Sequence, residues 1–171
     1  MSEAAPSGGL PRGVRLGVDV GDVRVGFARS DRDGLIATPV ETLPRESAAR
    51  EIAAYAREVE ARAIMVGLPR SLDGHEGAAA AKARDFCQEL LAQLDAGDGA
   101  AEVRLIDERL TTVSAHRALH SSGRRGRRHR EVVDQVAAVM ILQQALDLER
   151  SSGAAAGEQV GSVTHDQEGE G

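Results

Sequence analysis

The sequence has few aromatic residues, one cysteine and no long apolar run. Its aromatic side chains are Phe27, Tyr55 and Phe86, and tryptophan is absent. A stacking platform for unpaired bases therefore has almost nothing to be built from. Cys87 cannot form an internal disulfide, and its place on the apolar side of a helical pattern predicts burial rather than a reactive thiol.

Nothing in the chain resembles a membrane span, because the apolar runs are only as long as a strand. The first residues, MSEAAPSGGLPRG, contain neither the charged nor the apolar part of a secretory signal. We therefore expect a soluble cytoplasmic protein with no membrane partner.

The formal net charge of −6 hides an uneven distribution. Residues 151–171 carry acids but no lysine or arginine, whereas SSGRRGRRHR at 121–130 carries five arginines and no acid. The overall charge therefore does not exclude a nucleic acid partner. The basic stretch predicts either a solvated loop or contacts with a sugar–phosphate backbone through Arg124, Arg125, Arg127, Arg128 and Arg130.

The 171 residues are enough for one core and too few for two. We expect a disordered N-terminus at 1–12, a folded domain at 13–150 and a disordered acidic tail at 151–171. Hairpin-type connections join the first three predicted strands, which should be antiparallel. Helices and strands then alternate, which favours parallel crossovers. The fold class is α/β, a mixed sheet with helices on both faces. The predicted strands are 14–20, 24–30, 35–42, 62–67 and 102–107, and the predicted helices are 47–60, 77–95, 112–120 and 131–149.

The first predicted strand, VRLGVDV, contains an aspartate. Alternation places Asp19 on the same face as Gly17 and Gly21. The glycines leave space above the carboxylate for an ion, a phosphate or a helix. A buried carboxylate needs a partner. The pattern therefore predicts a cation site or, alternatively, a structural ion pair with Arg15 or Arg24.

A second acidic position follows the strand VRLI. Asp107 and Glu108 stand at its C-terminal end, where open α/β sheets usually bind ligands. Alternation directs the two side chains to opposite sides, so at most one should meet Asp19. The longer side chain favours Glu108, with Asp107 as the alternative.

A third acid, Asp134, lies on the last predicted helix. If its small-residue face covers the glycine side of the first strand, Asp134 approaches Asp19, and a place in the first turn would stabilise the anion through the helix dipole. The alternative is an ordinary surface acid near a helix start. The residues sharing its helical face are Ala137, Ala138, Ile141 and Ala145.

Three converging carboxylates repel one another unless a cation neutralises them. Hard oxygen ligands suit Mg²⁺ or Mn²⁺, so Asp19, Glu108 and Asp134 predict a metal site. Two such ions about 4 Å apart can activate water and stabilise the leaving oxygen of a phosphodiester. His116 and His120 have no third ligand nearby, and predict a solvated helix face rather than a zinc site.

At these residues the chain resembles the YqgF/RuvX family in four blocks, which are DVGDVRVGFARSD, VGLPRSLDGHEG, DERLTT and VDQVAAVMILQ. Members of this family are named pre-16S rRNA nucleases or Holliday junction resolvases and have an RNase H-like fold. The resemblance covers about residues 13–148. It implies that Asp19, the Asp107–Glu108 pair and Asp134 are the catalytic acids. The sequence departs from the family where ILQQALDLE lacks the aromatic that many members carry after the glutamine.

The second block, at 66–77, combines turn residues with a helix start. Backbone amides at that start could hold a phosphate, with Arg70 as a contact to nucleic acid. An ordinary loop is the alternative.

The leading prediction is a metal-dependent endonuclease in 5′-end maturation of pre-16S rRNA. The same site could cut branched DNA as a Holliday junction resolvase, because both backbones need the same carboxylates. A non-catalytic ribosome-assembly factor with structural acids is the third possibility. A phosphotransferase of the actin and sugar-kinase type would need a second glycine-rich motif and a larger second domain, which the sequence lacks. Apolar strand edges allow a homodimer, although no pattern specifies one.

Overall fold

A computed structural model describes residues 12–94, 100–110 and 127–161, which form six strands, three α-helices and a short 3-10 helix, Glu108–Leu110. The strands are β1 (Arg15–Val20), β2 (Arg24–Ser30), β3 (Ala37–Pro44), β4 (Ala63–Leu68), β5 (Glu102–Asp107) and β6 (Glu158–Val160). The helices are α1 (Arg45–Glu58), α2 (Ala78–Leu94) and α3 (Arg127–Ser152). None of the helices within these ranges combines the length and apolar character that a membrane span requires.

The strands form one mixed sheet in the order β3-β2-β1-β4-β5-β6. β1, β2 and β3 pair antiparallel, β4 and β5 continue parallel to β1, and β6 returns antiparallel to β5. A tight turn joins β1 to β2, in which the Gly21 amide donates to the Arg24 carbonyl at 2.9 Å. The predicted α/β class and mixed sheet are confirmed.

The two faces of the sheet carry different helices. Leu16 and Val18 of β1 belong to the larger apolar core with α1 and α2, whereas Met65 and Ile106 belong to the core under α3. Helices therefore cover both faces, as predicted. Cys87 is fully buried in the larger core, and burial raises the pKa of its thiol to about 12, so it is not a reactive thiol.

Glycines allow α3 to lie directly on the sheet. A Cβ at Gly17 would lie 2.5 Å from Leu142 Cβ, and one at Gly26 would lie 2.5 Å from the Asp134 carbonyl oxygen. The alanines of the predicted stripe, which are Ala137, Ala138 and Ala145, are fully buried in this contact. The small-residue face of the last helix therefore packs on the glycine side of β1, which is the condition under which Asp134 was expected to approach Asp19.

The last helix begins earlier than predicted. It starts at Arg127 instead of residue 131, so Asp134 lies beyond the first turn. The proposed stabilisation of Asp134 by the helix dipole is wrong, because that effect falls off within one turn. The prediction failed because the basic residues before 131 were assigned to the loop, although arginine is a good helix former.

The chain also continues in regular structure beyond residue 150. After α3, Gly153 adopts a φ of +74° and its amide donates to the Glu149 carbonyl at 2.8 Å, which ends the helix. β6 then pairs with the edge of β5. The expectation of a disordered tail is therefore corrected for 151–161, where a three-residue strand is too short to show an apolar period. The predictions for 1–11 and 162–171, and those of a helix at 112–120 with His116 and His120, lie outside the described residues.

Candidate active site

Three carboxyl groups are buried on the side of the sheet that α3 covers, and one of them, Glu149 of α3, pairs with Arg15 of β1 at 3.4 Å. The other two lie near the ends of β1 and β5. Asp19 is 3% exposed and Glu108 is 2% exposed. Asp19 pairs in register with Gly26 of β2, and a Cβ on Gly67 of β4 would lie 2.6 Å from Glu108 Oε2. Val18 of β1 pairs with Val66 of the parallel strand β4. The next residues, Asp19 and Gly67, are therefore neighbours near the C-terminal ends of these two strands. Both acids therefore lie beside glycines at the ends of the central strands, which is the glycine-lined centre of the sheet.

The environment of Glu108 opposes its ionisation. Burial, and secondly the negative charge of Asp107, raise the pKa of Glu108 from 4.5 to about 7. Near neutral pH a cation placed beside this carboxyl would favour its charged form. Such a shift in a site of converging polar groups is typical of functional carboxyls.

Asp134 reaches the same face from α3. Its backbone lies against Gly26, the residue paired with Asp19, because the glycine has no side chain. Its carboxylate Oδ2 accepts a hydrogen bond from Arg24 Nε at 3.1 Å. The third predicted acid is thus held above the strand pair that carries the first, and its charge is balanced by a guanidinium.

The structure brings these three acids to one face but does not assemble them as ligands. In the part of the chain that the structure describes, no three His, Cys, Asp or Glu side chains are grouped so that they could hold a metal ion. The ligand set inferred from the sequence therefore stays a prediction.

Asp107 points away from that face. It accepts hydrogen bonds from Arg109 Nη2 at 2.7 Å and from Arg70 Nη1 at 3.3 Å. Arg109, followed by the contribution of Arg70, holds the pKa of Asp107 below its usual value. The acidic pair is therefore separated, with Glu108 on the side of Asp19 and Asp107 in an arginine cluster, although Glu108 is the first residue of a short 3-10 helix and not part of β5.

Arg70 lies in the loop between β4 and α2. Besides Asp107 it contacts Glu76, whose Oε2 lies 3.0 Å from Arg70 Nη2. Arg84 also pairs with Glu76, and Arg84 foremost lowers the pKa of Glu76 to about 2. The contacts of Arg70 are thus with acids of its own loop and of β5, and its role toward nucleic acid stays a prediction.

The basic stretch before α3 is only partly described. Arg124 and Arg125 lie outside the described residues, and Arg127, Arg128 and Arg130 form the beginning of α3, of which the backbone is described. These three were assigned to a loop and are instead helical. Their positions place them at the N-terminal end of the helix that carries Asp134.

Sequence reasoning missed the partner of Asp134. Arg24 was considered only as a partner of Asp19, although Arg24 and Gly26 alternate onto one face of β2. That alternation, with the pairing of Gly26 opposite Asp19, was the signal that placed Arg24 beside the helix.

Replacing Asp107 by asparagine tests which member of the acidic pair is essential. For the endonuclease activity that the sequence predicts, we expect Asp107→Asn to loosen Arg109 and Arg70 and to lower the cleavage rate about tenfold or less, because the residue contacts arginines and not the buried face. The rate should exceed that of Glu108→Gln by at least tenfold under the same conditions. Equal losses in the two variants would instead make Asp107 part of the reacting site.

Comparison with known proteins places the chain among nucleases. A family model described as "RuvX: Holliday junction resolvase" matches residues 13–148. A protein of Streptomyces avermitilis named "Putative pre-16S rRNA nuclease" is 50% identical over 155 residues, which is 89% of this chain and 97% of that protein. A protein of a Nocardioides species with the same name is 53% identical over 152 residues, 85% of this chain and 95% of that protein.

The structural comparison shows the fold. Thermus thermophilus RuvC in complex with a Holliday junction substrate superposes with a TM-score of 0.53 at 13% identity, covering 86% of this chain and 99% of that chain. A second structure of the same protein gives a TM-score of 0.50. The shared architecture is RNase H-like.

Proposed function

Because the chain belongs to the RuvX family, a family of nucleases, we propose that it is a metal-dependent endonuclease that acts in 5′-end maturation of pre-16S rRNA. Its place of action would be the cytoplasm. The names of relatives that are about half identical support the substrate.

The observation that carries the proposal is the burial of Asp19 and Glu108 together over the glycine-lined centre of the sheet. Taking carboxylates out of water costs several kcal/mol each, and apolar side chains would pack there more favourably. Local departures from good packing are typical of functional sites. Two buried acids beside glycines at neighbouring strand ends are therefore consistent with a ligand site.

The donor set fits Mg²⁺ or Mn²⁺, which prefer carboxylate oxygens. Asp19 and Glu108 would hold the cation, with Asp134 as the third ligand. When bound, such ions activate water and stabilise the leaving oxygen of a phosphodiester. The protein fixes Asp19 on a central strand, and the turn after β5 directs Glu108 back over Gly67. Helix α3 covers this face and excludes water from one side of the site.

Nucleic acid would be positioned by cations around this site. Arg127, Arg128 and Arg130 begin the helix that carries Asp134, and Arg124 and Arg125 precede them in sequence. Guanidinium groups suit phosphate contacts of this kind, which orient a backbone without reading its sequence. Arg70 is a further candidate for such a contact.

A cleavage assay on two substrates tests the proposal. An RNA that spans the 5′ leader of pre-16S rRNA and a four-way DNA junction are incubated with the same preparation in Mg²⁺ or Mn²⁺. We expect site-directed cutting of the RNA, lost in Asp19→Asn. Preferential cutting of the junction would favour the second candidate, a Holliday junction resolvase, which the family description supports. Cutting of neither would leave a binding factor.

A further inference from the structure

Arg24 places a positive charge inside the candidate site. Its guanidinium Nε lies 3.1 Å from Asp134 Oδ2, and the side chains are 24% and 21% exposed. The pair is thus partly shielded, so its attraction is stronger than that of a fully exposed pair.

The position of this pair follows from the sheet register. Arg24 and Gly26 lie on one face of β2, and Gly26 pairs with Asp19. The Asp134 backbone rests on Gly26, where a Cβ would lie 2.5 Å from the carbonyl oxygen. Arg24 therefore contacts the acid that the proposed function assigns as third ligand, in the same region as Asp19.

A guanidinium and a divalent cation cannot both bind Asp134 without opposing each other. Moving a divalent ion onto this carboxylate would leave Arg24 next to a charge of the same sign. A phosphate group would remove that conflict, because arginine binds phosphate oxygens with paired, charge-assisted hydrogen bonds. The substrate of a nuclease carries such groups on every nucleotide.

We propose that Arg24 is a positioning residue that couples the two binding events: it holds Asp134 in the free protein, and it transfers to a substrate phosphate when Asp134 turns toward the cation. This inference rests on the proposed function. Each ligand then strengthens the binding of the other, and the coupling must be equal in both directions.

The test uses the full chain and four forms of it: wild type, Arg24→Gln, Arg24→Lys and Arg29→Gln. Arg29 is the matched control, because it lies on β2 as well but donates to the Tyr55 hydroxyl of α1. Mn²⁺ binding is measured by calorimetry without nucleic acid. Binding of a phosphorothioate RNA hairpin, which resists hydrolysis, is measured by fluorescence anisotropy in EDTA and in saturating Mn²⁺.

We expect Arg24→Gln to bind Mn²⁺ about tenfold more tightly than the wild type. Added Mn²⁺ should strengthen hairpin binding about tenfold in the wild type and in Arg29→Gln, but less than twofold in Arg24→Gln, with most of the effect restored in Arg24→Lys. Equal Mn²⁺ affinities in Arg24→Gln and the wild type, or a full Mn²⁺ effect on hairpin binding in Arg24→Gln, would overturn the coupling role.

The failure of this inference is distinguishable from failure of the proposed function. If Asp19→Asn loses Mn²⁺ binding while Arg24→Gln behaves as the wild type, the metal site stands and the role of Arg24 is wrong. If the wild type binds no Mn²⁺, both are wrong.

Discussion

Replacing Glu108 by glutamine should abolish nuclease activity and, in the absence of metal, make the protein more stable. The cleavage rate should fall at least a thousandfold, because the amide cannot supply the negative charge that a divalent cation needs. Stability should rise because the charged form of a carboxyl that is 2% exposed is replaced by a neutral group of nearly the same shape. A purely structural carboxylate would give the opposite result, namely a less stable variant.

The pH dependence of this gain follows from the shifted pKa. The folded-state pKa of Glu108 is about 7, against 4.5 as the unshifted value, so the folded state binds the proton more tightly than the unfolded chain. Below the unshifted pKa, ionisation of Glu108 therefore does not lower the free energy of unfolding. As the pH rises the loss of stability grows, and it reaches its full size above the folded-state pKa. At 1.36 kcal/mol per pKa unit the full cost is about 3 kcal/mol, or several degrees in Tm.

Thermal unfolding in EDTA measures this gain at pH values between about 5 and about 8. Glu108→Gln should melt above the wild type at the highest pH, and the difference should shrink as the pH falls. Glu51→Gln, which alters an exposed glutamate of α1, is the matched control and should follow the wild type throughout. A pH-independent difference between Glu108→Gln and the wild type would contradict the raised pKa.

Adding one methyl group at Gly26 should displace the helix that carries Asp134. In Gly26→Ala the new Cβ would lie 2.5 Å from the Asp134 carbonyl oxygen and 2.6 Å from its carbonyl carbon. Both are backbone atoms, so α3 or β2 must shift as a unit. Overpacking of this kind lowers the free energy of unfolding by about 1–3 kcal/mol. Because the shift moves Asp134 relative to Asp19, activity should fall about a hundredfold even where the protein is fully folded.

Tm and cleavage rate are measured together on Gly26→Ala and on Gly161→Ala. At Gly161 an added Cβ meets no atom of the described residues within 4 Å, so this variant controls for the methyl group itself. The Tm and the cleavage rate of Gly161→Ala should both match those of the wild type. Wild-type activity in Gly26→Ala would show that the close approach of α3 to β2 is not needed for the reaction.

Periodicity made much of the site predictable. Alternation in β1 placed Asp19 among glycines, and the helical period of the last segment aligned Asp134 with alanines, so the two complementary faces could be matched by their residue patterns. Alternation also predicted the separation of Asp107 from Glu108, although in the structure Glu108 lies just beyond the end of β5. These features depend on local geometry, which the sequence expresses directly.

The parts that failed depend on contacts between distant residues. The pairing of Arg24 with Asp134 joins residues far apart in the sequence, and Asp19 was an equally reasonable partner of Arg24 from sequence alone. β6 is defined by its hydrogen bonds to the edge of β5 and has almost no apolar pattern of its own. The start of α3 was misplaced because arginines suit a solvated loop and a helix equally well.

The proposed mechanism depends most on whether Asp19 belongs to a cation site. The direct test is a calorimetric titration of Mn²⁺ into the wild type and into Asp19→Asn, with Tm measured on both to establish that they are folded. The mechanism predicts saturable Mn²⁺ binding to the wild type and a loss of affinity of at least tenfold in the variant. Equal affinities in two folded proteins, or no binding by the wild type, would contradict it.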